Sequence, residues 1–321
     1  MDITIKFIGF WSTFNIHDNI FVKTLSQCHN VTVLEKGNVQ TPDILFYSRY
    51  SNGAHLKPDC IKVYYTGEND FPNFNECDYA LSFYNFEYLD RHLRYPLYKF
   101  YEYDQLERPL VINDSDAVNR NFCSLLMRNY YNCDSKRIEI IDAVESYKKV
   151  SYGGPFRNNV GGCVEEKIPF IHNYKFNLAL ENSDIDGYVT EKILEPFVAA
   201  TVPIYWGTDC VSKDFNPDAF INVRDFDNLH NLIDFIKRLD NDASEYLKML
   251  RAPKLISGSS PDFDSMLLDF LNNIVINRKK YVHPHGEINV LNSRNTLMWQ
   301  MYNSKFLRLY TKAMRKMGLS K

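Results

Sequence analysis

Short apolar runs alternate with polar, turn-forming segments through the first third of the chain. ITIKFIGF (3–10), VTVLEK (31–36), DILFYS (43–48), IKVYYTGE (61–68) and DYALSF (78–83) read as β-strands. They are nearly continuous in apolar residues, the pattern of parallel strands covered on both faces. A polar stretch at 104–120, broken by Pro109, predicts a hinge. A second series follows. FCSLLM (122–127) predicts a strand, and 135–147 an amphipathic helix with Ser135 as its N-cap and Ile138, Ile141 and Ala143–Val144 near helical spacing. Strands are expected at 174–181, 202–207 and 220–223, and a loop running into a helix at 187–200. Helices at about 227–239, 243–251 and 262–277 close the series.

Alternating β and α elements in both halves predict an α/β protein with parallel sheets. The division that follows is 1–110, 111–280 and a tail, 281–321. Two such halves form a crevice beyond the carboxyl ends of their strands, where ligands of open α/β sheets bind. The last 28 residues, Arg294 to Lys321, carry seven Lys or Arg and no Asp or Glu, with apolar residues near helical spacing. Such a basic amphipathic segment either lies on an anionic membrane surface or packs back on the N-terminal domain.

Composition narrows the classes. The formal charge is −3, from 37 basic and 40 acidic residues, which argues against a nucleic-acid partner. It leaves room for one small phosphate-bearing ligand held by a few cations. Seven cysteines, an odd number with no CxxC pair, predict reduced thiols rather than a disulfide framework or a zinc site. The N-terminus shows no signal-peptide pattern, and no apolar run reaches the ~18 residues of a membrane span. A cytoplasmic protein is expected, peripheral at the inner face of the cytoplasmic membrane if the tail binds there. Aromatic residues reach 15%, a share that suits either glycan recognition or aromatic-rich cores.

No generic cofactor motif is present. Four DxD triplets, at Asp114–Asp116, Asp184–Asp186, Asp225–Asp227 and Asp262–Asp264, are read as solvated turns, and His283 with His285 as a surface turn. The chemistry concentrates in YKFNLALENSDIDGYVTEKILEPFVAATVPIYWG (174–207). A buried strand ends at Glu181–Asn182, a polar loop with Gly187 follows, and Thr190 opens a helix. The first helical turn attracts an anion, Lys192 adds a charge for a phosphate, and Glu191 offers acceptors to sugar hydroxyls. An ordinary capped helix with a surface Glu–Lys pair is the competing reading.

The same stretch resembles the signature of the α-1,3/1,4-fucosyltransferases, bacterial type, with Leu180 where that family usually has Phe. VYYTGEN (63–69), CDYALSF (77–83), DRHLRYPLY (90–98), FRNNVGG (156–162) and KDFNPDAFINV (213–223) extend the likeness over about 60–250. The N-terminal 55 residues and the tail match less well. The resemblance implies a GT-B fold, two Rossmann-like domains facing each other across a cleft, with the acceptor on the first and GDP-fucose on the second. It implies Glu68 as general base, Arg137 and Lys192 on the diphosphate, and Tyr188 and Glu191 on the ribose or the fucose. Asn182 and Glu181 are either further donor contacts or supports of the loop. Trp11, Phe14, Tyr84 and Phe86 are candidate acceptor-stacking rings, with core packing as the alternative. No metal site is implied. Cofactors are expected to be dispensable, with Mg²⁺ or Mn²⁺ at most stimulatory. The expected partners are GDP-fucose and an N-acetyllactosamine-type glycan. A transferase with another acceptor or nucleotide sugar, or an inactive glycan-binding relative, would carry much of the same pattern.

Overall fold

The computed structural model describes residues 1–101, 105–106, 110–128, 130–131, 134–256, 262–282 and 304. Two parallel sheets organise them. The first contains β1 (Asp2–Ile8), β2 (Asn30–Val33), β3 (Ile44–Tyr47), β4 (Ile61–Tyr65), β5 (Tyr79–Ser82) and β6 (His92–Arg94), in the order β2-β1-β3-β4-β5-β6. The second contains β7 (Asn121–Leu125), β8 (Val150–Tyr152), β9 (Tyr174–Leu180), β10 (Val202–Trp206) and β11 (Ile221–Asn222), in the order β11-β10-β9-β7-β8. Every residue of β3, β4, β5, β9 and β10 is buried, which is why their sequences show continuous apolar runs rather than alternation.

The helices are α1 (Ile20–Leu25), α2 (Asp114–Val118), α3 (Lys136–Tyr147), α4 (Lys167–His172), α5 (Glu191–Val198), α6 (Val211–Asp214), α7 (Leu229–Asn241), α8 (Ala243–Arg251) and α9 (Phe263–Asn277). Among the described residues the eleven strands and nine helices include the nine strands and five helices expected before the tail, plus two short strands, β6 and β8, and four short helices, α1, α2, α4 and α6, that were not. Both strands are three residues long and mixed in polarity, too short for a period to register.

Several expectations are corrected. Ser135 sits at the N-cap of α3 but its side chain makes no cap bond; Asp134 Oδ1 accepts from the Lys136 amide at 2.8 Å instead. The inward face of α3 is Ile140, Ile141 and Val144, joined by Arg137, while Ile138 is only half-buried. The described part of the expected hinge at 104–120 includes α2, whose Ala117 is fully buried in the second half's core. Residues 102–104 and 107–109 lie outside the described residues, as do His283, His285 and all of the basic tail except Ser304.

Helix α9, grouped with the second half on sequence order, crosses back to the first. Phe263, Leu267, Leu271 and Ile274 form one helical stripe and join Phe21 and Leu25 of α1 in a single core. That core also takes in Val189, Ile193 and Phe197 from the second half, so the halves share apolar packing. A buried ion pair reinforces the junction: the Arg94 guanidinium meets both oxygens of Asp214, at 2.9 and 2.6 Å. Six described cysteines carry free thiols, of which Cys28 and Cys163 are exposed. No helix among the described residues is long and apolar enough to cross a membrane.

Candidate active site

The carboxyl ends of both sheets open on the same cleft. On the first side, β4 ends at Tyr65 and the chain turns through Thr66–Gly67–Glu68. The Thr66 hydroxyl accepts from the Glu68 amide at 3.0 Å, which fixes the turn. Glu68 is exposed and lines a cavity of about 700 Å³ shared with Trp11, Phe14, Arg49, Lys99 and Tyr101. Trp11 packs edge-on to Phe14 at 5.1 Å and also contacts Phe10 and Phe100, yet keeps 36% of its surface exposed. Tyr84 and Phe86 do not line this cavity. They pack with Phe71 in a separate aromatic group, linked to the second half by a chain from the Tyr84 hydroxyl to Asn69 (3.4 Å) and from Asn69 to Ser183 (3.2 Å).

On the second side, β9 delivers Glu181 and Asn182 directly after its last residue. Glu181 is fully buried. Its carboxylate accepts from the Thr190 amide (2.7 Å), from the Thr190 hydroxyl (2.8 Å) and from Lys192 Nζ (3.1 Å). Of the two sequence readings, this geometry gives Glu181 the supporting one. Thr190 also caps α5, accepting from the Lys192 amide. Asn182 turns the other way, where its side-chain oxygen accepts from the Arg137 guanidinium at 3.1 Å and its carbonyl from the Asp134 amide at 3.1 Å. Asn182 thereby ties the start of α3 to the end of β9, and Arg137 is 2% exposed.

Burial alone would lower the Lys192 ammonium, but Glu181, with Glu191 and Tyr188, outweighs it and holds the group charged. Burial pushes the Glu181 carboxyl up, and Lys192 with the Thr190 bonds pulls against that. Lys192 keeps 23% of its side chain exposed, so the charge is anchored at one side and open at the other. Burial raises the phenols of Tyr188 and Tyr101, and the charges of Glu68, Glu191 and Lys192 all act on both. Residues from the two halves therefore share one electrostatic field across the cleft, with both phenols kept neutral as hydrogen-bond donors.

The loop between β9 and α5 is held against the first half. Gly187 has φ of +81°, and a Cβ there would stand 2.3 Å from the Phe83 carbonyl oxygen. Tyr188 follows, its ring edge-on to Phe83 at 4.8 Å. The sequence reading missed Arg224, which donates from Nε to the Gly207 carbonyl at 2.6 Å and pairs with Asp184 and Asp209. Nothing in its local sequence, NVRDF, marks it as part of the site; only the parallel placement of β11 beside β10 brings it there. The DxD triplets are absorbed by the fold: Asp114 pairs with Arg251, Asp184 with Arg224, Asp225 accepts from Asn222, and Asp262 caps α9. Among the described residues no group of three or more His, Cys, Asp and Glu is arranged to hold a metal ion.

Comparison with known proteins covers both sides of the cleft. The profile of the alpha-(1,3)-fucosyltransferase FucT N-terminal domain matches residues 5–101, and that of the glycosyltransferase family 10 (fucosyltransferase) C-terminal part matches 119–254. A crystal structure of an alpha1,3-fucosyltransferase with GDP-fucose superposes with a TM-score of 0.76 at 31% identity, covering 88% of this chain and 93% of that one. The chain belongs to the glycosyltransferase family 10 fucosyltransferases. Its two-sheet architecture is accordingly GT-B. The alpha-(1,3)-fucosyltransferase FucT of Helicobacter pylori is 36% identical over 265 residues, 70% of this chain and 54% of that protein. A putative fucosyltransferase of Acanthamoeba polyphaga mimivirus is 29% identical over 236 residues. The chain thus spans about half the length, or less, of these two curated relatives.

Proposed function

We propose that this family 10 member transfers L-fucose from GDP-β-L-fucose to a GlcNAc hydroxyl of an N-acetyllactosamine-type acceptor, with inversion to an α-linkage. The observation that carries this reading is the opposition of Glu68, on the cavity of the first half, to the Tyr188–Glu191–Lys192 group at the head of α5. The related structure with GDP-fucose supports the donor. A mouse 4-galactosyl-N-acetylglucosaminide 3-alpha-L-fucosyltransferase, 34% identical over 138 residues, supports the acceptor class.

In this mechanism the acceptor hydroxyl oxygen attacks C1 of fucose on the face opposite GDP. Glu68 takes the hydroxyl proton as the new C–O bond forms, and the bond from C1 to the β-phosphate oxygen breaks with its electron pair leaving on GDP. Arg137, Lys192 and the N-terminal turn of α5 stabilise the diphosphate charge as it develops. These cations do the work a metal does in other nucleotide-sugar transferases, so Mg²⁺ or Mn²⁺ is dispensable.

A GDP-release assay with GDP-fucose and type 1 (Galβ1-3GlcNAc) and type 2 (Galβ1-4GlcNAc) disaccharides tests the reading. Acceptor-dependent release that survives EDTA, with an α-fucosyl product by NMR, is expected. Tight GDP binding with no turnover on any acceptor would instead identify a glycan-binding relative.

A further inference from the structure

The cavity around Glu68 contains a second uncommitted charge. Of its other ionic residues, Asp18 and Lys23 pair with each other at 2.6 Å, and Lys99 pairs with Asp264 at 3.3 Å. Arg49 has no acidic partner among the described residues, and its Nε is buried without a hydrogen-bond partner. A buried guanidinium N–H left unpaired carries a desolvation cost that folding has not relieved. Arg49 lines the cavity and is only partly buried, so its charge is open to a ligand there.

The position of Arg49 is built rather than incidental. Strands β3 and β4 are parallel neighbours with Tyr47 opposite Tyr64, so Arg49 and Glu68 leave adjacent strands at the same edge of the sheet. The turn that carries Arg49 rests directly on the end of β1: Gly9 has φ of +70°, and a Cβ there would stand 2.2 Å from the Ser51 amide nitrogen. The Gly9 carbonyl accepts from the Tyr50 amide at 3.1 Å. Behind the turn, the Ser51 hydroxyl meets His55 Nδ1 at 2.8 Å, and His55 Nε2 meets Glu76 at 3.0 Å, with the imidazole stacked on Tyr47. The Gly9 contact on one side and the His55-centred contacts on the other therefore hold the segment that carries Arg49 at the cavity.

We infer that Arg49 is an acceptor-binding residue: its guanidinium donates to a non-reacting oxygen of the acceptor sugar and orients the attacking hydroxyl toward Glu68. This rests on the proposed transfer reaction. The fork geometry suits a hydroxyl pair or a carboxylate on the same sugar.

The test compares wild type with Arg49→Ala and Arg49→Lys, using a neutral type 2 disaccharide and its carboxylate-bearing sialylated form. For Arg49→Ala, acceptor KM should rise roughly 10- to 100-fold while the GDP dissociation constant stays the same. Arg49→Lys, which keeps the charge and loses the fork, should fall between. A greater loss on the sialylated acceptor identifies a carboxylate contact, and an equal loss on both a hydroxyl contact. Acceptor binding is read separately by saturation-transfer NMR, which needs no turnover. If wild type binds acceptor but transfers nothing, the transfer reading fails alone. Unchanged acceptor KM and unchanged NMR binding in a folded Arg49→Ala protein would overturn this inference.

Discussion

Lys192 Nζ stands 3.1 Å from Glu181 Oε2, a carboxylate with no solvent exposure, while its own side chain stays partly open to the cleft. Glu181 fixes where the charge sits, and the open side leaves it free to meet a second anion. Removing one member of a buried pair strands the other, at about 3–5 kcal/mol. Glu181→Ala should therefore unfold at markedly lower temperature and weaken GDP binding, because Thr190 and Lys192 both lose their anchor. Lys192→Met should weaken GDP binding by roughly tenfold or more, in line with one lost charge-assisted bond. Calorimetric titration with GDP and thermal unfolding separate the two effects, and full GDP affinity in Lys192→Met would remove this lysine from the donor site.

Glu68→Gln keeps the shape of the turn, since the bond from the Glu68 amide to Thr66 involves only backbone on the Glu68 side. Loss of a general base costs about 10²- to 10⁴-fold in kcat. GDP affinity should be retained because Glu68 lies on the opposite side from Lys192. Single-turnover transfer measured at saturating donor checks both, and near-native turnover would exclude Glu68 as the base.

Gly187→Ala places a methyl group into the Phe83 carbonyl and forces an L-residue to φ of +81°. The left-handed conformation alone costs about 1–2 kcal/mol. The clash must move the loop that carries Tyr188, so the Tm should fall and acceptor-saturated kcat should fall with it. Wild-type Tm and kcat together would show that the two halves do not depend on this contact.

Arg94 and Asp214 lock the halves from buried positions, with Asp214 wholly enclosed. Asp214→Leu should cost about 3–5 kcal/mol by stranding the guanidinium, whereas the double change Arg94→Met/Asp214→Leu should cost clearly less than the sum of the single changes Arg94→Met and Asp214→Leu. Denaturant unfolding of the four proteins of the cycle measures the coupling, and additivity would mean the pair does not act as a unit.

His92 is half-buried between Ser82 and the Phe86 carbonyl, and desolvation lowers its pKa to about 4. The unfolded chain binds a proton near pH 6.5, so between 6.5 and about 4 the unfolded state holds more protons and stability rises with pH. Acidification through this window should destabilise wild type by at most about 3 kcal/mol, and His92→Gln should flatten that slope. A parallel loss of Tm in both proteins between pH 7 and 4 would assign the acid sensitivity to other groups.

The sequence by itself determined the parallel α/β character, because strands covered on both faces must be apolar throughout, and it located the loop of the candidate site through Thr190 and the residues around it. These are local properties: a cap, a run of apolar residues, a turn. Only the tertiary structure decided that α9 belongs with the first half, since an apolar stripe does not name the surface it will cover. It also decided that Tyr84 and Phe86 leave the cavity that Trp11 and Phe14 line, and that Arg224 joins the site through β11. Arg49 shows the difference most plainly. As a sequence letter it is one of many surface-type cations; the parallel register of β3 and β4 and the close approach of Gly9 put it beside Glu68, because side chains far apart in the chain meet only where strand order brings their ends together.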